Sequence, residues 1–157
     1  MNTIATSHAR PTILLVDDQH SIRHILSAGL KANGFEVLTA ATGEKALAFC
    51  EGFEGSIDLL LTDIGLTPQE LWPEPAMDEC VPHGVAVAER ALTIRPSMKV
   101  ALFTGHSDQH LTRLGLRTDG FLLLRKPCSL STLVDVCRQL LTKPNADAFS
   151  QHAINRI

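Results

Sequence analysis

The sequence predicts an α/β fold: a doubly wound, five-stranded parallel sheet with helices on both faces. Three observations lead there. Short apolar runs alternate along the chain with longer stretches whose apolar residues recur at helical spacing. The short runs are continuously apolar, as strands covered on both sides must be. Polar residues gather at the carboxyl ends of these runs, the edge at which open α/β sheets hold their ligands.

The elements follow in order. Residues 12–16 (TILLV) form the first strand, short and wholly apolar. In residues 20–32, Ile22, Ile25, Leu26 and Leu30 recur at helical spacing, and Asn33-Gly34 is a stop signal. Residues 35–40 (FEVLTA) are the second strand. Thr42 can cap a helix through GEKALAFCE, with Ala46, Leu47, Phe49 and Cys50 on its inner side. Residues 58–62 (DLLLT) are the third strand. Helical spacing resumes at 84–94 and stops before Pro96. Residues 99–103 (KVALF) make a fourth strand, 107–116 a short helix, 121–124 (FLLL) a fifth strand and 129–142 a last amphipathic helix. Strands alternating with helices imply right-handed crossovers in one parallel sheet. Residues 1–10 and 143–157 are expected to be loose tails around one domain at 11–142.

Composition excludes several classes. The chain has 157 residues, 45% hydrophobic and 20% charged, with a net charge of −3. Such a chain is too apolar for a disordered protein, and lacks the basic excess of a nucleic-acid binder. No apolar run approaches the roughly 20 residues of a membrane span, and MNTIATSHARP has no apolar secretion core. A cytoplasmic location is expected, with no direct contact to nucleic acid or membrane. Cys50, Cys80, Cys128 and Cys137 include no CxxC pair and are expected as reduced thiols.

The chemistry lies at the strand ends. Strand one runs into Asp17-Asp18, strand three into Asp63, strand four into Thr104, and strand five is followed by Lys126-Pro127. The fold converges these groups on one crevice. Three close carboxylates repel, and a hard divalent cation such as Mg²⁺ relieves that repulsion with oxygen ligands and waters. A carboxylate nucleophile, Mg²⁺, an ammonium and a hydroxyl together make the kit for phosphoryl transfer onto an aspartate.

ILLVDD, LLLTDIGL, ALFTGHS and LLRKP resemble the four signatures of the response-regulator receiver domain of two-component signalling, the CheY-like group. The resemblance spans about residues 11–142 and implies a flavodoxin-like strand order of 2-1-3-4-5. It implies that Asp63 accepts a phosphoryl group from a sensor histidine kinase or histidine phosphotransfer protein. Asp17 and Asp18 would hold Mg²⁺, one of them through water, with Asp63 and the backbone carbonyl of Gly65. Thr104 would swing to bond the phosphoryl group and Lys126 would bond one of its oxygens. The Lys126–Pro127 peptide is typically cis in that family. The helix 107–116, the fifth strand and the last helix would form the output surface, with Arg113 and Arg117 on one helical face. Ile22 and Ile25 would be half core and half kinase-docking surface. Slow self-dephosphorylation is the only enzymatic activity implied. With few residues after the last helix, the chain is expected to stand alone and signal through an unidentified protein target or a phosphorelay.

Several features depart from that pattern. Thr104 follows Asp63 by 41 positions, where a helix, a strand and two loops need only about 30. The surplus coincides with 64–83, which holds four of the eight prolines, Trp72 and four acidic residues without Lys or Arg. This insertion is either a lid or docking loop with Trp72 as an anchor, or a tolerated excursion. Leu123 stands where receivers often carry an aromatic switch residue, and Phe121 is a candidate substitute. His106 is either a pH-sensitive neighbour of the phosphoryl group or a solvated loop histidine. His106 with His110, and Cys80 with His83, lack a four-ligand zinc spacing. Two other readings stand beside it: a small-molecule aspartyl-phosphate phosphatase or phosphotransferase, which shares the aspartate and Mg²⁺, and a non-phosphorylated binding module. The first usually needs a second Asp two residues after the nucleophile, where this chain has Gly65.

Overall fold

The computed structural model describes residues 9–66, 83–105 and 121–143. The proposed 107–116 helix with His106, His110, Arg113 and Arg117 lies outside the described residues. So do Trp72 and Cys80, most of the proline-rich segment, and nearly all of both tails.

Five strands form one parallel sheet in the order β2-β1-β3-β4-β5. They are β1 Thr12–Val16, β2 Glu36–Ala40, β3 Leu59–Asp63, β4 Lys99–Thr104 and β5 Leu122–Arg125. The described helices are α1 His20–Ala32, α2 Gly43–Gly52, α3 His83–Ile94 and α4 Leu130–Thr142. Strand order and parallel sense agree with expectation. Strand β1 matches its expected range, β2 starts one residue later, and β3, β4 and β5 each end one residue later because Asp63, Thr104 and Arg125 are paired in the ladder, opposite Phe103, Arg125 and Thr104. A polar side chain at a strand end does not end the backbone pairing.

Side-chain alternation divides the core in two. Leu14, Val16, Leu60, Val100 and Leu102 face Ala46, Leu47 and Cys50 of α2 and Val87, Ala88 and Ala91 of α3. Ile13, Leu15, Leu59, Leu61, Ala101 and Phe103 face Leu30 of α1 and Leu133, Val134, Cys137 and Leu140 of α4. Every residue of β1 and β3 is buried, which explains their unbroken apolar runs. Leu123 and Phe121 both pack, half-buried, on the α2–α3 side. Ile22 is half-buried, but Ile25 is 63% exposed, so it contributes surface and little core.

Local chemistry sets the ends of the helices. Thr42 accepts the Lys45 N–H at 3.2 Å, and Ser129 accepts the Thr132 N–H at 3.1 Å, each satisfying a donor with no partner inside its helix. Helix α1 stops at Gly34, whose φ of 92° suits glycine. The Gly34 N–H donates to Lys31 O and the Phe35 N–H to Leu30 O, a Schellman closure with both Leu30 and Phe35 buried. At the end of α2, Arg95 does the equivalent from a distance. Its guanidinium donates to the carbonyls of Cys50 at 2.7 Å, Gly55 at 2.9 Å and Phe53. Cys50 and Cys137 are buried free thiols and Cys128 is half-buried. Burial pushes the Cys137 thiol up to about 12.

Candidate functional site

The turns leaving β1, β3, β4 and β5 meet at the carboxyl edge of the sheet. In this strand order the chain reverses direction across the sheet between β1 and β3, so a crevice opens beside those two strands. Carboxylate oxygens of Asp17, Asp18 and Asp63 lie within 4.8 Å of one another. Asp17 is buried, Asp63 lies at the edge of burial and Asp18 is exposed, so the cluster has a closed floor and an open mouth.

One cation reaches the buried pair. Lys126 Nζ lies 3.0 Å from Asp17 Oδ2 and 3.3 Å from Asp63 Oδ2. It also sits 5.5 Å from the centre of the Phe103 ring, a distance at which an aromatic face attracts an ammonium. Burial disfavours the charged lysine, but the hydrogen bond to Asp17 and the charges of Asp63 and Asp17 outweigh it, so its pKa is raised. Among the described residues, Lys126 is the ammonium that faces the Asp17–Asp63 pair of this carboxylate cluster. The donor set is all oxygen, with an open side, which suits Mg²⁺ with retained waters.

Backbone N–H groups hold the Asp17 and Asp63 carboxylates in place. The Gln19 N–H donates to Asp17 Oδ1 at 2.8 Å, and Arg23 Nη1 donates to Asp17 O at 2.7 Å. The Gly65 N–H donates to Asp63 Oδ1 at 3.2 Å, so Asp63 has one oxygen toward its own loop and one toward Lys126. Thr104 is 1% exposed, and its carbonyl accepts the Lys126 N–H at 2.7 Å. The Lys126–Pro127 peptide is cis. Ile64 and Leu66 are buried, so the 64–83 stretch starts anchored to the domain before it leaves the described residues.

Asp17, Asp18, Asp63 and Lys126 are thus gathered in one cluster, with Gly65 and Thr104 bonded to its members through the backbone. Three further residues support them without having stood out in the sequence. Arg23 ties α1 to the acidic turn. Phe103 lies beneath the lysine, where it had looked like one more strand residue. Gly84 opens α3 directly against β3: a Cβ there would lie 1.9 Å from the Asp63 carbonyl oxygen. A glycine at the start of an apolar helical period is the only trace of that contact in the sequence.

The fold and crevice define an α/β domain whose acidic, lysine-bridged cleft sits at the switch point of a parallel sheet. The chain belongs to the response regulator receiver domain family, whose model matches residues 13–138. It is 28% identical over 133 residues to the sensor kinase CckA of Brucella abortus, covering 84% of this chain and 13% of that protein. It is 30% identical over 136 residues to the transcriptional regulatory protein AruR of Pseudomonas aeruginosa, covering 85% of this chain and 50% of that protein. A CheY-like receiver domain structure from Methanospirillum hungatei superposes with a TM-score of 0.65 at 28% identity, covering 84% of this chain and 94% of that one. The chain spans half or less of the length of these two curated relatives. Receiver domains accept a phosphoryl group on an aspartate, bind Mg²⁺ at an aspartate cluster and partner with histidine kinases or phosphotransfer proteins. Apart from slow autodephosphorylation they are generally not enzymes. Among the described residues no helix is long and apolar enough to cross a membrane.

Proposed function

We propose that Asp63 is the phosphoacceptor of a response regulator working in the cytoplasm, taking its phosphoryl group from a sensor histidine kinase or histidine phosphotransfer protein. The observation that carries this reading is Lys126 Nζ within 3.3 Å of Asp63 and 3.0 Å of Asp17 in a cluster of three carboxylates. An Asp63 carboxylate oxygen forms the new bond to phosphorus as the bond from phosphorus to the donor's histidine nitrogen breaks. Its Oδ1 is held by the Gly65 N–H, which leaves Oδ2 on the lysine side as the attacking atom. Lys126 stands where it can exchange a carboxylate for a phosphoryl oxygen.

Mg²⁺ fits this donor set, with Asp17, Asp18, Asp63 and the Gly65 carbonyl as its ligands, and when bound it neutralises charge on the transferring group. Thr104 supplies the hydroxyl that bonds the phosphoryl group and biases the domain toward its signalling state. The domain occupies 11–142, with 64–83 as an insertion beside the site. Its output is a protein contact or onward phosphotransfer to a target yet to be identified, without direct contact to nucleic acid, and its only turnover is slow loss of its own phosphoryl group.

The test is a mass measurement after incubation with Mg²⁺ and a small phosphodonor. The expected result is a gain of one phosphoryl group, absent in Asp63→Asn. An adduct that survives Asp63→Asn, or none from either a donor or a kinase, overturns the reading.

A further inference from the structure

Helix α1 carries two imidazoles one turn apart. His20 and His24 are both exposed, with ring centroids 6.2 Å apart and planes within 8° of parallel. Residues four apart share one helical face, and their side chains lean the same way along it. Among the described residues neither ring makes a hydrogen bond or ion pair, so ring nitrogens on both remain available as ligands. Neutral imidazole is a donor for Zn²⁺, Ni²⁺ and Cu²⁺, in contrast to the oxygen donors of the neighbouring aspartates, which suit Mg²⁺.

We propose that His20 and His24 form a two-imidazole chelate for a borderline divalent transition ion, Zn²⁺ in particular, distinct from the aspartate cluster. The remaining coordination positions are filled by water or by a partner. The rings stack one turn apart with nearly parallel planes and centroids 6.2 Å apart, so side-chain rotations must turn one nitrogen of each toward a common point for both to reach the 2.0–2.1 Å bond length of Zn²⁺. Asp17 and Asp18, immediately before the helix, supply a negative field that favours a cation there. Arg23 and the positive end of the helix oppose it, which places this site below a full four-ligand centre in affinity.

The chelate acts on a helix end that its own residues hold weakly. Gln19 makes no side-chain cap hydrogen bond, and the first turn of α1 contains no acidic residue. An ion bridging His20 to His24 links the first turn to the second and stabilises that end. It does so beside the exposed Ile25 and the Arg23 that holds the Asp17 carbonyl.

The experiment titrates Zn²⁺ into the full-length, untagged, reduced chain with excess Mg²⁺ present to occupy the aspartates, by calorimetry and by thermal unfolding. The proposal expects one Zn²⁺ per chain and a rise in Tm, both lost in His20→Gln and in His24→Gln and both kept in Asp63→Asn and Cys128→Ser. Hydrogen exchange should slow over residues 20–24 when Zn²⁺ is added. Absence of binding, binding that survives both histidine variants, or loss of binding in Asp63→Asn or Cys128→Ser overturns it. Because both histidines are exposed, the variants keep the fold, and their phosphorylation with Mg²⁺ reports separately on the function proposed above.

Discussion

The two ends of β3 carry one aspartate each, and their surroundings could hardly differ more. At the amino end Asp58 accepts the Thr12 N–H at 2.7 Å and the Ser56 hydroxyl at 3.5 Å, joining β1 to the loop before β3. Nearby, Arg95 spends its guanidinium on three backbone carbonyls. Charge there is consumed by the fold. At the carboxyl end Asp63 is crowded by Asp17 and Asp18 and shares one lysine with Asp17. A cluster of three carboxylates is not what stability alone selects, since like charges a few ångströms apart repel. The contrast separates charges that hold this domain together from the crowded charges at which phosphoryl transfer is proposed.

The largest stability effect is expected at the amino end. Arg95→Ala removes three charge-assisted hydrogen bonds and leaves the carbonyls at the end of α2 to water, at a cost of about 3 kcal/mol. Denaturant unfolding should show that loss while phosphoryl acceptance by the folded fraction is unchanged. If the variant loses acceptance but keeps its stability, the division between the two ends fails.

Gly84→Ala tests the one place where architecture and chemistry touch. Alanine is favoured over glycine by about 1 kcal/mol inside a helix, so propensity alone predicts a gain. The Cβ would meet the Asp63 carbonyl oxygen at 1.9 Å and the Ile64 Cα at 2.7 Å, both backbone atoms that cannot swing away. Overpacking of this kind costs about 1–3 kcal/mol, so a net loss of about 2 kcal/mol is expected. Because the strain falls on the proposed phosphoacceptor itself, the rate of phosphorylation should fall too. A stabilised variant with normal phosphorylation would show that α3 does not set the position of Asp63.

At the carboxyl end the sign of the stability effect reverses. Asp63→Asn keeps the side-chain shape and removes one of three repelling charges, so without Mg²⁺ it should raise stability, by less than about 1 kcal/mol, while abolishing the adduct. Thermal unfolding in a chelator checks it. A clear drop in Tm would mean that the Asp63–Lys126 contact is chiefly structural.

These two ends were not equally legible in the sequence. The carboxyl-end residues were, because chemistry needs fixed residue types at strand ends, and Asp17, Asp18, Asp63, Thr104 and Lys126 interrupt apolar runs where nothing else explains them. The strand runs were legible for a related reason: burial on both faces leaves an unbroken apolar signature. Arg95 was not legible. Its partners are backbone carbonyls 40 to 45 residues away, and a carbonyl has no residue type. Gly84 and Phe103 were hidden likewise, since each acts through proximity to a neighbouring strand. Ile25 was legible only in part: of the half-core, half-surface reading given to Ile22 and Ile25, its 63% exposure keeps the surface half.

The smallest effect concerns Lys126 and pH. Burial opposes its charge, but Asp17 and Asp63 win, so its folded pKa lies above the ordinary 10.5. A raised pKa means that the ammonium's contribution to stability is fully present below the unfolded value and is lost as pH rises through the folded value. In the absence of Mg²⁺, the stability difference between the wild-type chain and Lys126→Gln should therefore be flat from neutral pH to about 10 and shrink only above that. A difference that already shrinks between pH 7 and 9 would mean that the lysine is not held by the carboxylates. Added Mg²⁺ should reduce the difference at every pH, because an ion bound there would take over counter-charge at Asp17 and Asp63 that Lys126 supplies among the described residues.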